Sequence, residues 1–103
     1  MTKKIFFVFI LFSNLIISEV LIDVRTSDEF KLSHIENAIN IQWEDILIIS
    51  NDVSKDTKIY LYCRSGNRSQ KATDILLNAG FDQVENLGGI QEAAEKLKLK
   101  IVN

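Results

Sequence analysis

Short β-branched runs alternate with helical segments along most of this chain, and that alternation restricts the fold more than any other feature. Val20-Leu21-Ile22-Asp23-Val24, Ala38-Ile39-Asn40-Ile41, Lys58-Ile59-Tyr60-Leu61-Tyr62 and Val84-Glu85-Asn86-Leu87 each have strand character. The first is nearly uninterrupted, the pattern of a strand buried on both faces. A short helix follows it, announced by Thr26 and Glu29 at capping-box spacing. Trp43 to Ile49 reads as a second helix. The clearest helix comes later, where Ala72, Ile75, Leu76 and Ala79 recur at helical spacing and Gly80 stands at the C-terminal cap position. Gly88-Gly89 reads as a tight turn, and Ile90 to Leu99 as a last amphipathic helix. Strands alternating with helices predict an α/β fold, with a mainly parallel central sheet of about five short strands flanked by helices.

At 103 residues the chain has room for one domain. Its formal charge of -2 gives no basic excess for nucleic acid. One cysteine excludes an internal disulfide, and one cysteine with one histidine cannot form a Cys/His zinc cluster. No metal or other cofactor is called for. The first 18 residues differ from the rest. Lys3 and Lys4 precede an apolar stretch from Ile5 to Ile17, and Ser18 is a small residue at a plausible cleavage point. The apolar run is shorter than the ~20 residues of a spanning helix, and Ser13-Asn14 interrupts it. Residues 1–18 are therefore expected to be a signal peptide, and residues 19–103 the folded domain. The protein is expected to be exported, with a membrane anchor as the alternative if the segment stays uncleaved.

The chemistry is expected at Cys63, which follows the third strand and precedes a helix. In an open parallel sheet, ligands bind outside the carboxyl ends of the strands. Amides of a tight loop and of a helix N-terminus converge there and favour an anion, so a thiol ionises more readily. Arg64 and Arg68 add cationic charge that can attract an anionic substrate. Gly66 permits positive φ, and Ser65 and Asn67 can supply further donors. A cysteine by itself reads as a small buried hydrophobe. Two arginines and a glycine within the next five residues turn that reading around, because a buried core has no use for them.

From Val20 to about Leu97 the sequence resembles the rhodanese domain. The resemblance is carried by LIDVR (Leu21 to Arg25), DEF (Asp28 to Phe30), HIENAINI (His34 to Ile41), YLYCRSGNRS (Tyr60 to Ser69), AGF (Ala79 to Phe81) and NLGGI (Asn86 to Ile90). The short form is similar to the periplasmic phage-shock type of that family, which implies a periplasmic location. The resemblance implies that Cys63 forms a persulfide, and that the loop Arg64, Ser65, Gly66, Asn67 and Arg68 binds the substrate. The implied activity is that of a thiosulfate sulfurtransferase. Sulfane sulfur would pass from a small anionic donor, thiosulfate, to Cys63 and then to cyanide or a thiol. Where the family often has glycine, this chain has Ser33 and Asn37; Asn tolerates left-handed backbone angles.

Other polar residues read as scaffold. Arg25 is expected to pair with Glu29, His34 to make a structural hydrogen bond, and Asp23 to be a satisfied structural carboxylate. Trp43, Tyr60 and Tyr62 are assigned to core and rim, and Lys96, Lys98 and Lys100 to a solvated face. Two other functions remain. One is a non-enzymatic persulfide carrier or redox interaction module. The other is a cysteine phosphatase, whose signature is Cys, five residues, then Arg. Only four residues separate Cys63 from Arg68, which disfavours a phosphate-sized loop.

Overall fold

A computed structural model describes residues 19–103, so the expected export segment, residues 1–18, lies outside the described residues. The elements run β1 (Glu19–Asp23), α1 (Ser27–Leu32), β2 (His34–Ile35), β3 (Ile39–Asn40), a 3₁₀ helix (Trp43–Asn51), β4 (Lys58–Cys63), α2 (Asn67–Asn78), β5 (Val84–Gly89), α3 (Ile90–Leu97) and β6 (Ile101–Val102). The central sheet is parallel throughout, in the order β3-β1-β4-β5. Among the described residues it has four strands, against the expected five or so. A separate antiparallel pair joins β2 to β6. The two-residue strands β2 and β6 are too short for a period-two pattern to reveal them.

Alternation along the central strands divides the core in two. Val20, Ile22, Val24, Ile59, Leu61 and Cys63 face one way, and pack with Ile46 and Ile49 of the 3₁₀ helix and Ala72 and Leu76 of α2. Leu21 and Tyr62 face the other way, with Ile35, Leu87, Ala93, Ala94 and Leu99. Cys63 thus inherits its direction from strand parity, toward α2.

Trp43 to Ile49 forms a 3₁₀ helix extending to Asn51. Its buried residues, Ile46 and Ile49, lie three apart, matching the three-residue turn, while Leu47 and Ile48 stay exposed. Gly88 and Gly89 close β5 instead of making a separate turn, and α3 ends at Leu97. Asn37 has φ of 73°, the left-handed angle its side chain tolerates. Gly80, at φ 100°, ends α2 as expected, and the Phe81 N–H returns to the Leu76 carbonyl at 3.1 Å.

Strand order determines where a ligand can enter. From β1 the chain moves outward to β3 on one side, whereas from β4 it moves to β5 on the other. The connections after β1 and β4 therefore diverge, leaving a crevice beyond the carboxyl ends of those two neighbours. Cys63 ends β4, and Asp23 ends β1.

Candidate active site at the carboxyl ends of β1 and β4

The loop after Cys63 folds back over its own sulfur. Gly66, at φ 102°, takes a left-handed turn that residues with a side chain rarely adopt, and α2 begins at once with Asn67. The turn brings the Gly66 N–H to 3.0 Å from Cys63 Sγ. Gly89 is needed for a different reason. A Cβ there would lie 2.7 Å from the Arg64 carbonyl oxygen, so only glycine lets β5 pass this close to the loop.

The Ser69 hydroxyl, in the first turn of α2 and fully buried, lies 3.4 Å from Sγ. Burial pushes the Cys63 thiol up. The Ser69 side chain and the amides of Ser69, Ser65 and Gly66 outweigh burial and bring the thiol below its ordinary value. The pocket thus favours an anionic sulfur by directed hydrogen bonds, although Cys63 itself has no exposed surface.

The expected site residues divide. Gly66 and Ser65 supply amides to the sulfur. Arg64 lines an open cleft of about 310 Å³ together with Arg25, Glu29, Leu32, Ser33 and Ile90. Its guanidinium has no ion-pair partner among the described residues. The Asn67 side chain is exposed and does not reach the sulfur. Arg68, expected as a free cation beside an anion, is instead held by Glu29 through bonds of 2.8 and 3.1 Å. Arg68 keeps Glu29 well below the usual carboxylate range, to about 2; burial opposes this, and Thr26 assists.

The Arg25–Glu29 pair expected from sequence does not form. Residues two apart on an extended segment share a side, so Asp23 reaches Arg25 first. Its carboxylate accepts bonds from Arg25 N at 2.9 Å, Nε at 3.0 Å and NH2 at 2.8 Å. Arg25 NH2 also donates to the Ser33 carbonyl at 2.6 Å, tying the end of α1 to β1. Glu29 completes the capping box with Thr26 and turns its carboxylate to Arg68. His34 is structural: Nδ1–H donates to the Phe30 carbonyl at 2.9 Å, and the ring stacks on Phe30 at 3.8 Å. Asp23 is a satisfied carboxylate, as expected.

Sequence reasoning missed Ser69 and Asn86. Asn86 sits on β5 and ties the loop to its neighbours. Its Nδ2 donates to the Gly66 carbonyl at 3.1 Å, and its Oδ1 accepts from Ser69 Oγ at 2.7 Å and from Gly88 N at 2.9 Å. A signal for Ser69 was present. It falls three residues before Ala72 and seven before Leu76, on the apolar stripe of α2, where a hydroxyl must find a partner.

Known proteins resemble this chain in sequence and in fold. The family model of the rhodanese-like domain matches residues 12–96. The thiosulfate sulfurtransferase PspE of Escherichia coli (strain K12) is 33% identical over 75 residues, covering 71% of this chain and 72% of that protein. The adenylyltransferase and sulfurtransferase UBA4 of Candida albicans is 35% identical over 91 residues, which is 80% of this chain but 21% of that protein. This chain thus spans about a fifth of the UBA4 length. Among solved structures, a rhodanese with anions from E. coli superposes with a TM-score of 0.73 at 31% identity, covering 82% of this chain and 98% of that one. Matched over most of its length in sequence and in fold, the chain belongs to the rhodanese-like domain family.

Proposed function

We propose that the protein is a thiosulfate sulfurtransferase that carries sulfane sulfur as a persulfide on Cys63. The observation that carries this reading is the convergence of the Gly66 amide and the Ser69 hydroxyl on a cysteine sulfur, with the thiol drawn below its ordinary value. Such a pocket stabilises the attacking thiolate and also the terminal sulfur of a persulfide, because both are anionic. The Cys63 thiolate attacks the outer sulfur of thiosulfate; an S–S bond from Cys63 Sγ to that sulfur forms, the S–S bond of the donor breaks, and sulfite leaves with its electron pair. Cyanide or a thiolate then attacks the outer sulfur of the persulfide, giving thiocyanate or a new persulfide and returning the Cys63 thiolate. No oxidant is needed, and the attacking form is the thiolate, toward which the loop's hydrogen bonds draw Cys63. Likeness to PspE supports the choice of thiosulfate.

Arg64, which lines the cleft and has no ion-pair partner, is assigned to donor recognition in preference to Arg68, which Glu29 already neutralises. Steady-state kinetics with thiosulfate and cyanide should give parallel double-reciprocal lines, the mark of a covalent intermediate that stays on the enzyme while the first product, sulfite, leaves before the second substrate reacts. Arg64→Ala should raise KM for thiosulfate by about tenfold with little change in kcat, the loss of one charge-assisted contact. Intersecting lines would remove the persulfide intermediate from the account. An unchanged KM would leave donor binding to the loop amides alone.

The Lys3-Lys4 pair and the apolar stretch to Ile17 support export to the periplasm, with the folded domain beginning at residue 19. N-terminal sequencing of protein from its native host should find a start near Glu19 in the fraction outside the cytoplasmic membrane. An intact Met1 in a soluble cytosolic fraction would refute this.

A further inference from the structure

Ser69 Oγ has one proton and two acceptors within reach, Asn86 Oδ1 at 2.7 Å and Cys63 Sγ at 3.4 Å. The orientation of the Asn86 amide is not in question. Gly88 N–H can only donate, so the atom facing it at 2.9 Å is the oxygen; the Gly66 carbonyl can only accept, so the atom facing it at 3.1 Å is the nitrogen. Asn86 therefore presents an acceptor to Ser69, and the two residues hold the hydroxyl between the sulfur and the amide. The Asn86 oxygen keeps the Gly88 N–H as a partner even when Ser69 turns away.

We propose that Ser69 is a catalytic hydroxyl with two settings and that Asn86 is its positioning residue. In one setting the Ser69 proton points to Asn86 Oδ1 and its lone pair receives the Cys63 S–H. In the other the hydroxyl turns and donates to the anionic sulfur. Ser69 keeps its proton throughout, so no covalent step is involved. Asn86 also holds the Gly66 carbonyl, so the same side chain aims both the hydroxyl and the turn whose amide meets the sulfur. Catalytic use of the hydroxyl rests on the sulfur-transfer reading of Cys63, but its placement can be tested without it.

Cys63 is the only cysteine, so thiolate ultraviolet absorbance, corrected with Cys63→Ser, follows its ionisation alone. Ser69→Ala should reduce the thiolate fraction by about tenfold at a pH below both midpoints, because one hydrogen bond to the charged form is lost. In an Asn86→Ala background the same Ser69→Ala change should have less than about a third of that effect, since the hydroxyl is no longer aimed. Asn86→Asp, of the same shape, gives a second background with the same expectation, because its carboxylate retains the Ser69 proton. Thermal unfolding of each variant separates these effects from loss of fold. An unchanged titration in Ser69→Ala would overturn the catalytic role of the hydroxyl. Full additivity in both backgrounds would overturn the positioning role of Asn86. Sulfur loading from thiosulfate, measured on the same wild-type sample, reports separately on the transfer reaction: a shifted Ser69→Ala titration without loading would uphold the hydroxyl's placement and refute the transfer.

Discussion

Cys63→Ser should reduce sulfur transfer from thiosulfate to the background rate while leaving the domain folded. Serine retains nearly the same shape but lacks a nucleophile that ionises at neutral pH, and no other thiol is present in the chain to substitute. The expected cost in stability is small, about 1 kcal/mol, because the new hydroxyl meets the Gly66 amide and Ser69 that now surround the sulfur. Activity and stability thus separate at this position. Circular dichroism and denaturant unfolding should match the wild type closely, and the assay should not. Residual turnover well above background would place the reacting sulfur somewhere other than on Cys63.

The positions of Cys63 and its loop could be read from sequence because local rules fix them. A buried strand that runs straight into a glycine-containing loop and a helix puts the intervening residue at the carboxyl end of the strand, where amides converge. Short elements and long-range partners were harder. The β2–β6 pair joins residues far apart in sequence through two-residue strands, which leave no periodic trace. Arg25 and Arg68 look alike in sequence, but their partners depend on competition. Asp23 takes Arg25 through a contact two residues away, which frees Glu29 for an arginine 39 positions along the chain. The tether from Asn86 to Gly66 depends on β5 lying beside β4, so it appears only once the sheet is assembled. Gly89 shows the same dependence, since the carbonyl it must clear belongs to Arg64.

The largest effect on stability is expected from Arg25→Met. Asp23 is fully buried, and the Arg25 guanidinium grips both of its oxygens. Methionine preserves much of the aliphatic stem but leaves the carboxylate with only the Arg25 N–H and the Tyr62 hydroxyl as donors and no countercharge, and the Ser33 carbonyl without its partner. Removing one member of a buried pair typically destabilises by about 3–5 kcal/mol. Domains of this size have roughly 0.05–0.15 kcal/mol per residue in total, so the variant should lose a large share of its stability. Lys58→Met is the matched control. The Lys58–Glu85 pair is exposed, with side chains at 29% and 48%, and its loss should cost about 1 kcal/mol or less. Denaturant midpoints for the two variants should differ widely. If they coincide, Asp23 is compensated by something other than Arg25, and the fastening of α1 to β1 has been misassigned.

Persulfide formation is the step on which the proposed function depends, and intact-protein mass spectrometry detects it without reference to any biological acceptor. After incubation with thiosulfate the wild-type protein should be heavier by one sulfur atom, and cyanide or a reducing thiol should remove that mass; Cys63→Ser should gain nothing. A wild-type protein whose mass never changes, under conditions that load a proven rhodanese, would contradict the sulfurtransferase reading and leave a rhodanese-like domain that binds without transferring sulfur.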